Sequence, residues 1–510
     1  MQKGTLLLLS KLFALSLVIL LFVSPDSYMH DLFEQFDTAF FFTCGKAWMS
    51  GMTPYVDFAD SKGPLLWLIY GIGYLISHYN YIGVFWLSVL LYTVVFYYIY
   101  LTANLFLKND KASFFVTICM TLSLFCPWFH HEIRAEDWSQ LFIAMAFYYC
   151  CRWLYAEEVM SHRKCYVACF VLGISLAGTL LIKYSLTAML GFTACYMLFA
   201  IIKQRVNIFY SFLSFLSGFT LMVAPFAIYM LYIGSFEALI QEYFLNTLQT
   251  VDSYNTVGIY LHEWLMLTYK PQVLVIFLVC SIGAYMMSKI VIRHKCFFFV
   301  SFIGFFAISI HHFLFYYLSS CLLFPLFFII PIIARQKQTQ FPRPLFVTII
   351  LCIVVFINSF NQGFVSDSWF FKDSSIRKDY YNVAYIMSGV KNPTIVHFFS
   401  SEHGQGVPVG VLPGTKYWAT QLGATPEMEK NQEETVRNQL TDFVIVSNLF
   451  PDTEKHQEIV LSSGYRLVYE YTCYGEHYFL YTKHRDLSLP PADFHVSEMD
   501  ILLKRKMFMD

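Results

Sequence analysis

The feature that most constrains this chain is a series of apolar runs, each close to the ~20 residues that a helix needs to cross a bilayer. They recur over positions 1–360 and predict a membrane α-helical bundle of about eleven transmembrane helices. The predicted spans are Thr5–Val23, Ile82–Leu107, Ala112–Trp128, Trp138–Tyr155, Tyr166–Ile182, Ser185–Ile202, Ile208–Ile233, Pro271–Ile292, Phe297–Ile310, Phe313–Ile333 and Leu345–Phe360. The first run lacks a small-residue cleavage site, which favours a retained helix over a cleaved signal peptide. A composition of 57% hydrophobic and 14% charged residues also suits a surface that faces lipid.

Lysine and arginine residues are concentrated in every second loop between the predicted spans. One set of loops carries Lys108, Lys111, Arg152, Arg163, Lys164, Lys203, Arg205, Lys289, Arg293, Lys295, Arg335, Lys337 and Arg343, and the alternate set carries Lys46, Lys62, Arg134, Lys183 and Lys270. Because positively charged loops tend to stay in the cytoplasm, the bias places the N-terminus there. The loops 24–81, 129–137 and 234–270, and everything after Phe360, are then predicted to lie outside.

The composition changes after Phe360, where the apolar runs shorten to strand length. The predicted strands are Thr394–Phe399, Phe443–Ser447, Arg466–Tyr471 and His477–Tyr481, and the last two form a predicted hairpin. Glu427–Leu440 is a predicted helix with a polar face. We therefore divide the chain into a transmembrane domain over 1–360 and a small soluble α/β domain over 361–510, which we expect to cover or shape the outer face.

Several classes of function are not supported by the sequence. A net charge of -1 provides no basic surface for nucleic acid. The 13 cysteines are scattered singly, without the spacing of a metal cage. His130, His131 and Glu132 are adjacent, and adjacent residues rarely ligate one ion in good geometry. We therefore predict no metal site and no cofactor. The sequence leaves open whether the protein uses a divalent cation.

The first outer loop is long, and loops of this size usually carry function. It contains Asp37 among aromatic residues, then Asp57, Asp60 and Lys62. Acidic residues next to a membrane helix are costly to bury, so they face water, a partner or a substrate. The alternative is that they are solvated loop residues. The apolar segment Leu65–Ser77 is short for a span, which favours a surface or re-entrant helix.

The second outer loop is rich in charge and contains Arg134, Glu136 and Asp137. A plain connector between two helices needs few such residues, so a carboxylate here is a candidate to complete a site with Asp37. Lys183 lies at the outer end of a predicted helical hairpin. It either reaches the interface as a snorkelling lysine or binds the phosphate of a lipid headgroup.

The order of these motifs resembles the GT-C glycosyltransferases, which include protein O-mannosyltransferases and the aminoarabinose transferases that modify lipid A. The resemblance rests on an acid after the first helix, an amphipathic run, Gly51-Met52-Thr53-Pro54-Tyr55-Val56-Asp57, Lys62-Gly63-Pro64, and Arg134-Ala135-Glu136-Asp137. It implies a bacterial inner-membrane enzyme whose C-terminal domain is periplasmic. It also implies a polyprenyl-phosphate-linked sugar donor and an inverting transfer to a lipid, glycan or protein acceptor.

The resemblance also implies roles for individual residues. Asp37 is expected to be the catalytic carboxylate, with Glu136 or Asp137 as the second acid. Lys62 is expected to contact the donor phosphate. The other expected substrate-binding residues are Tyr55, Asp57, Asp60, Arg134 and Lys183. Relatives often carry an acid directly before the lysine, whereas this chain has Ser61 there, which leaves the role of Asp60 in doubt.

Two other functions share much of this topology. A flippase or transporter for lipid-linked glycans usually spreads polar residues through its helices and often shows internal repeats, whereas here acids cluster in two outer loops. A glycan polymerase or ligase usually has a large outer loop late in the chain. The moderately long loop Gly234–Lys270 keeps that alternative open.

Overall fold

The computed structural model describes residues 3–24, 26–27, 36–124, 133–155, 162–246, 294, 296–301, 330–331, 374–400, 404–419, 425–448, 452–473, 476–490, 496, 500–501 and 504. The predicted spans Pro271–Ile292 and Leu345–Phe360, and most of Phe297–Ile310 and Phe313–Ile333, lie outside the described residues. The chain divides into two compact units. The first unit comprises residues 1–24, 88–228 and 254–368, and the second comprises residues 25–87, 229–253 and 369–510.

The N-terminal part of the chain is helical. Its helices are α1 Lys3–Val23, α2 Phe36–Met49, α3 Pro64–Ile76, α4 Ile82–Leu107, α5 Asp110–Leu124, α6 Ala135–Leu154, α7 His162–Ile182, α8 Thr187–Lys203, α9 Ile208–Tyr232 and the single turn α10 Phe236–Leu239. A 3-10 turn, Tyr184–Leu186, precedes α8, and a π-helix, Ile240–Asn246, follows α10. Five of the described helical segments are long and apolar enough to cross a membrane. The chain is therefore a multi-pass membrane protein.

Two of the predicted spans correspond to helices that are not among these five apolar segments. The span predicted at Ala112–Trp128 appears as α5, whose described part has 15 residues. The span predicted at Trp138–Tyr155 appears as α6, which has 20 residues and is buried along most of its length. Polar and charged residues in its first turns lower its hydropathy, so α6 is not among the five apolar segments.

In the first unit, α7 and α9 approach closely at two glycines. A Cβ on Gly173 would lie 2.1 Å from the Phe215 carbonyl oxygen, and one on Gly218 would lie 2.0 Å from that of Phe170. Small residues allow helix backbones to approach closely in membranes, where packing supplies much of the association energy. Glycine at both positions therefore permits this contact.

In the second unit, α2 and α3 meet in the same way. A Cβ on Gly45 would lie 2.4 Å from the Gly71 amide nitrogen, so the two helices pack backbone to backbone at this point. The short helix predicted at Leu65–Ser77 is thus α3, and its 13 residues are too few to cross a bilayer by themselves. This packing holds the loop between α2 and α3 at both of its ends.

The C-terminal part of the second unit is an α/β fold. Its helices are α11 Ser374–Met387, α12 Pro426–Arg437 and α13 Thr453–Ser462, and its strands are β1 Thr394–His397, β2 Leu412–Pro413, β3 Phe443–Ser447, β4 Arg466–Cys473 and β5 Glu476–Thr482. The strand order is β2-β1-β3-β5-β4. Strand β1 pairs parallel with β2 and β3, whereas β5 pairs antiparallel with β3 and β4. The predicted small sheet and its terminal hairpin are confirmed.

One buried core joins the sheet to the helices. Val436 on α12 and Val460 on α13 pack against strand residues, and each fully buried side chain of this type contributes roughly 1.5–3 kcal/mol. The buried cluster consists of Val396, Phe398, Val436, Val444, Val446, Val460, Tyr465 and Tyr481.

Asp442, just before β3, makes this sheet sensitive to acid. Its Oδ2 accepts hydrogen bonds from the Thr394 amide and hydroxyl at 3.0 and 2.8 Å, and its Oδ1 lies 2.8 Å from His484 Nε2 and 3.5 Å from Lys483 Nζ. Burial acts to raise the pKa of Asp442, but these hydrogen bonds and the lysine charge outweigh it and lower the pKa below its ordinary value. A carboxyl group with a lowered pKa stabilises the folded state above its unfolded pKa, and this contribution is lost as the pH falls through the folded pKa.

We therefore expect the C-terminal sheet to lose stability as the pH falls below about 4. Limited proteolysis of the full chain between pH 6 and pH 3 measures this loss. Asp442→Asn is expected to be less stable at neutral pH and to show a smaller change with pH. An identical pH dependence in wild type and Asp442→Asn would contradict this assignment.

Candidate functional site

Asp37 lies in the first turn of α2 and is half-buried. The N-terminus of a helix carries a partial positive charge, which stabilises a carboxylate at this position. Phe41 follows one turn later, and side chains four residues apart share a helix face. The Lys62 ammonium lies 5.7 Å from the centre of the Phe41 ring. The fold thus brings Lys62 to the face of α2 that carries Asp37.

Lys62 is held in a short acidic turn. Its Nζ lies 3.4 Å from Asp60 Oδ2 and 3.2 Å from Ser61 Oγ. The Lys62 and Asp60 side chains are 12% and 10% exposed, so the pair is largely removed from bulk water. Asp60 is therefore the ion-pair partner of Lys62.

Tyr55 fixes the backbone of this turn. Its ring is buried against Trp67, with the ring centres 4.5 Å apart, and its hydroxyl donates to the Lys62 carbonyl at 2.8 Å. Burial raises the pKa of Tyr55 well above its ordinary value, so the hydroxyl stays a donor. The residue adopts a positive φ of 66°, a conformation that tyrosine rarely takes. In the structure Tyr55 holds the Lys62 backbone, and its role in binding substrate stays a prediction.

Asp57 has a local structural role. It is exposed, and its Oδ2 accepts a hydrogen bond from the Thr53 amide at 2.6 Å. The Asp57 amide donates in return to the Thr53 carbonyl at 2.9 Å. Such side-chain bonds stabilise turns, and this one closes the turn from Thr53 to Asp57, which contains Tyr55.

The second-loop acids lie in the first unit and play different parts. Asp137 is three residues into α6, and its Oδ2 accepts from the amide of Arg134, the N-cap residue, at 2.9 Å. Its Oδ1 accepts a hydrogen bond from the Tyr92 hydroxyl. Both oxygens are thus occupied in holding the start of the helix, in the manner of a capping box. Arg134 is half-buried beside them.

Glu136 is paired with Lys183. The Lys183 ammonium lies 2.8 Å from Glu136 Oε1, and the two side chains are 10% and 2% exposed. Lys183 follows the last residue of α7, and its amide still bonds to the Thr179 carbonyl, so the end of that helix positions it. Of the two candidate acids, Glu136 forms the ion pair with Lys183.

The structure therefore brings together Asp60 with Lys62, and Glu136 with Lys183. The first group belongs to the second unit and the second group belongs to the first unit. Among the described residues, no cluster of three or more potential metal ligands is present. His130, His131 and Glu132 lie outside the described residues, so the absence of a metal site stays a prediction.

Sequence reasoning missed the C-terminal residues next to α2. Trp418 stacks on Phe40, with the rings 5.1 Å apart and 7° from parallel. The Lys46 ammonium donates to the Val411 carbonyl at 3.3 Å. These contacts join positions more than 360 residues apart, and local spacing in the sequence carries no signal for them.

Comparison with known proteins yields a likeness in structure. No protein-family model and no curated protein sequence matches the chain. The fold is similar to that of ArnT from Cupriavidus metallidurans bound to undecaprenyl phosphate, with a TM-score of 0.62 and 10% identity over 96% of this chain and 100% of that chain. The apo state of the same protein gives a TM-score of 0.59 and 11% identity, over 96% and 99%.

This likeness shows that the chain has the fold of ArnT, in agreement with the fold that the resemblance of the loop motifs implied. An identity of 10–11% supports a shared architecture. The chemistry of this chain depends on its own residues.

Proposed function

We propose that the chain is a membrane glycosyltransferase that moves a sugar from a polyprenyl-phosphate-linked donor to a lipid, glycan or protein acceptor at the outer face of the membrane. The observation that carries the proposal is the placement of Lys62, beside Asp60 and over Phe41, on the face of α2 that bears Asp37. A cation for a leaving phosphate and a carboxylate for an acceptor proton are the groups that this reaction requires. The likeness to ArnT in complex with undecaprenyl phosphate supports a lipid-linked donor.

In the proposed reaction, the Asp37 carboxylate takes the proton of an acceptor hydroxyl. The acceptor oxygen then forms a bond to the anomeric carbon from the side opposite the phosphate, which inverts the configuration. The bond from that carbon to the phosphate oxygen breaks, and polyprenyl phosphate leaves with the electron pair. Lys62 stabilises the charge that develops on the phosphate. We also propose that the Lys183 ammonium, held by Glu136 in the first unit, binds phosphate.

We also propose the topology that the charge bias predicts. The transmembrane domain spans 1–360 with about eleven helices, the N-terminus is cytoplasmic, and the domain 361–510 lies in the periplasm of a bacterial inner membrane. Labelling of single introduced cysteines with a membrane-impermeant reagent in whole cells tests this arrangement. Labelling of the loop at Lys108–Lys111 from outside would contradict it.

Membranes that contain the protein, incubated with labelled polyprenyl-phosphate sugars, provide the test of function. We expect label to appear in a lipid, glycan or protein, and analysis of that product identifies the acceptor. Movement of intact labelled lipid across the bilayer without a labelled product would instead support a flippase.

Lys62→Ala is expected to raise the donor KM by about tenfold or more, since a hydrogen bond to a charged group contributes about 1.5–3 kcal/mol. The measurement is the initial rate at varied donor concentration and saturating acceptor. Lys430→Ala removes an exposed lysine that pairs weakly with Glu434 at 3.8 Å, and this control should leave the KM unchanged. An unchanged donor KM in Lys62→Ala would show that this ammonium does not bind the phosphate.

A further inference from the structure

A buried carboxylate outside the predicted motifs lies in the π-helix Ile240–Asn246. Glu242 is 5% exposed, and a charge buried to this extent persists only when it is paired and hydrogen-bonded. The Lys416 ammonium pairs with its Oε1. The Tyr417 hydroxyl lies 2.9 and 3.0 Å from its two oxygens, and the Asn246 amide donates to Oε2 at 3.0 Å. Two of these three partners come from the segment 404–419 of the C-terminal fold.

The Tyr417 hydroxyl is a permanent donor in this cluster. Burial raises the pKa of Tyr417 well above its ordinary value, and the neighbouring Glu242 charge raises it further. The Lys416 ammonium also lies 5.2 Å from the centre of the Tyr417 ring, so the two residues support each other. The Tyr417 hydroxyl therefore stays protonated and donates to Glu242 over the physiological pH range.

Lys416 also binds the first outer loop. Its carbonyl accepts a hydrogen bond from the Ala59 amide at 2.9 Å, and Ala59 directly precedes Asp60. On the other side of the same turn, the Ser235 hydroxyl donates to the Pro54 carbonyl at 2.6 Å. The residues between Pro54 and Ala59 are thus held at one end by the segment before the π-helix and at the other end by Lys416.

π-Helical turns are rare and frequently mark functional sites. Here Glu242 lies in the π-helix and pairs with Lys416. The Lys416 carbonyl in turn holds Ala59, three residues before Lys62. The Tyr55 hydroxyl holds the Lys62 carbonyl from the interior of the loop, and Lys416 holds the backbone three residues earlier in sequence. Two independent contacts therefore hold the backbone that carries the Lys62 side chain.

We propose that Glu242, Lys416 and Tyr417 are positioning residues for the Asp60–Lys62 pair, and that the C-terminal fold is in this way a structural part of the phosphate-binding site. The ion pair to Glu242 fixes the position of Lys416, and the Lys416 carbonyl fixes the position of Ala59. Because Ala59 directly precedes Asp60, these contacts also position the Asp60–Lys62 turn. This inference rests on the proposed role of Lys62 in donor binding.

Lys416→Met in the full-length protein tests the proposal. The variant leaves the Glu242 charge buried without its cation, and the displaced turn is expected to raise the donor KM by about tenfold, with a smaller effect on kcat. Lys416→Arg keeps the cation and is expected to restore most of the donor affinity. Tyr417→Phe keeps the ion pair and removes one hydrogen bond, so a smaller rise in KM is expected even if Lys416→Met folds poorly.

A second readout does not depend on activity. The rate at which an amine-reactive reagent labels Lys62, followed by mass spectrometry of the detergent-solubilised protein, reports whether the Asp60–Lys62 pair is held. Lys416→Met is expected to label faster at Lys62 than wild type, whereas Lys430→Met, in an exposed pair of the same fold, is expected to match wild type. Unchanged Lys62 labelling together with an unchanged donor KM in Lys416→Met would overturn the proposal. If the wild-type protein transfers no sugar, the proposed function fails, and Lys62 labelling still tests the positioning.

Discussion

Asp37→Asn is expected to lower the rate of sugar transfer by about 10²- to 10⁴-fold, the usual contribution of a general base. The amide has the shape of the carboxylate but cannot accept the acceptor proton. Abundance and membrane insertion should be unchanged, because Asp37 is only half-buried and asparagine is also tolerated near a helix start. The measurement is kcat with saturating donor and acceptor, at matched amounts of purified protein.

Asp452→Asn is the matched control for this variant. Asp452 is an exposed residue of the C-terminal fold with a positive φ of 68°, a conformation that asparagine adopts readily. The same change from carboxylate to amide there should leave transfer at the wild-type rate. A wild-type rate in Asp37→Asn would remove Asp37 from the mechanism.

Lys183→Met is expected to have the largest effect on stability. It leaves Glu136, whose side chain is 2% exposed, as a buried charge without its cation, and the loss of one partner of a buried pair costs about 3–5 kcal/mol. Thermal unfolding in detergent measures this loss. Lys203→Met, at the exposed end of α8, removes the same charge without breaking a buried pair and should shift stability by no more than about 0.5 kcal/mol.

The double variant Glu136→Gln/Lys183→Met separates structure from function. Replacing both charges removes the unpaired carboxylate, so stability should return to near that of wild type. Transfer should stay impaired, because the proposed phosphate ligand is still absent. Recovery of both stability and transfer would show that the pair is structural and that Lys183 does not bind the phosphate.

Local patterns in the sequence predict most of the described membrane helices well, because each span must bury its own apolar surface and satisfy its own backbone in lipid. The predicted span Ile82–Leu107 has the bounds of α4, and Phe443–Ser447 has those of β3. In both cases the signal lies within the segment itself. The order of acids and lysine between α1 and α4 likewise indicates the fold through the resemblance that it carries.

The partners of the site residues could not be predicted in the same way, since they depend on contacts between distant segments. The positions of Lys183 and Glu136 differ by 47 and those of Lys416 and Glu242 by 174, and neither pair leaves a periodic pattern. The roles of Glu136 and Asp137 are distinguished by the start of α6 at Ala135. That boundary makes Asp137 a capping residue and leaves Glu136 to face Lys183.

The proposed function requires this protein to break the bond between a sugar and the phosphate of its lipid carrier. The test uses purified full-length protein with labelled polyprenyl-phosphate sugar and the acceptor identified in membranes. Glycosylated product and free polyprenyl phosphate are quantified in the same reaction. We expect wild type to form the two in equal amounts and Asp37→Asn to form neither above background. No release of polyprenyl phosphate by wild type, with the sugar still attached to its carrier, would contradict the claim.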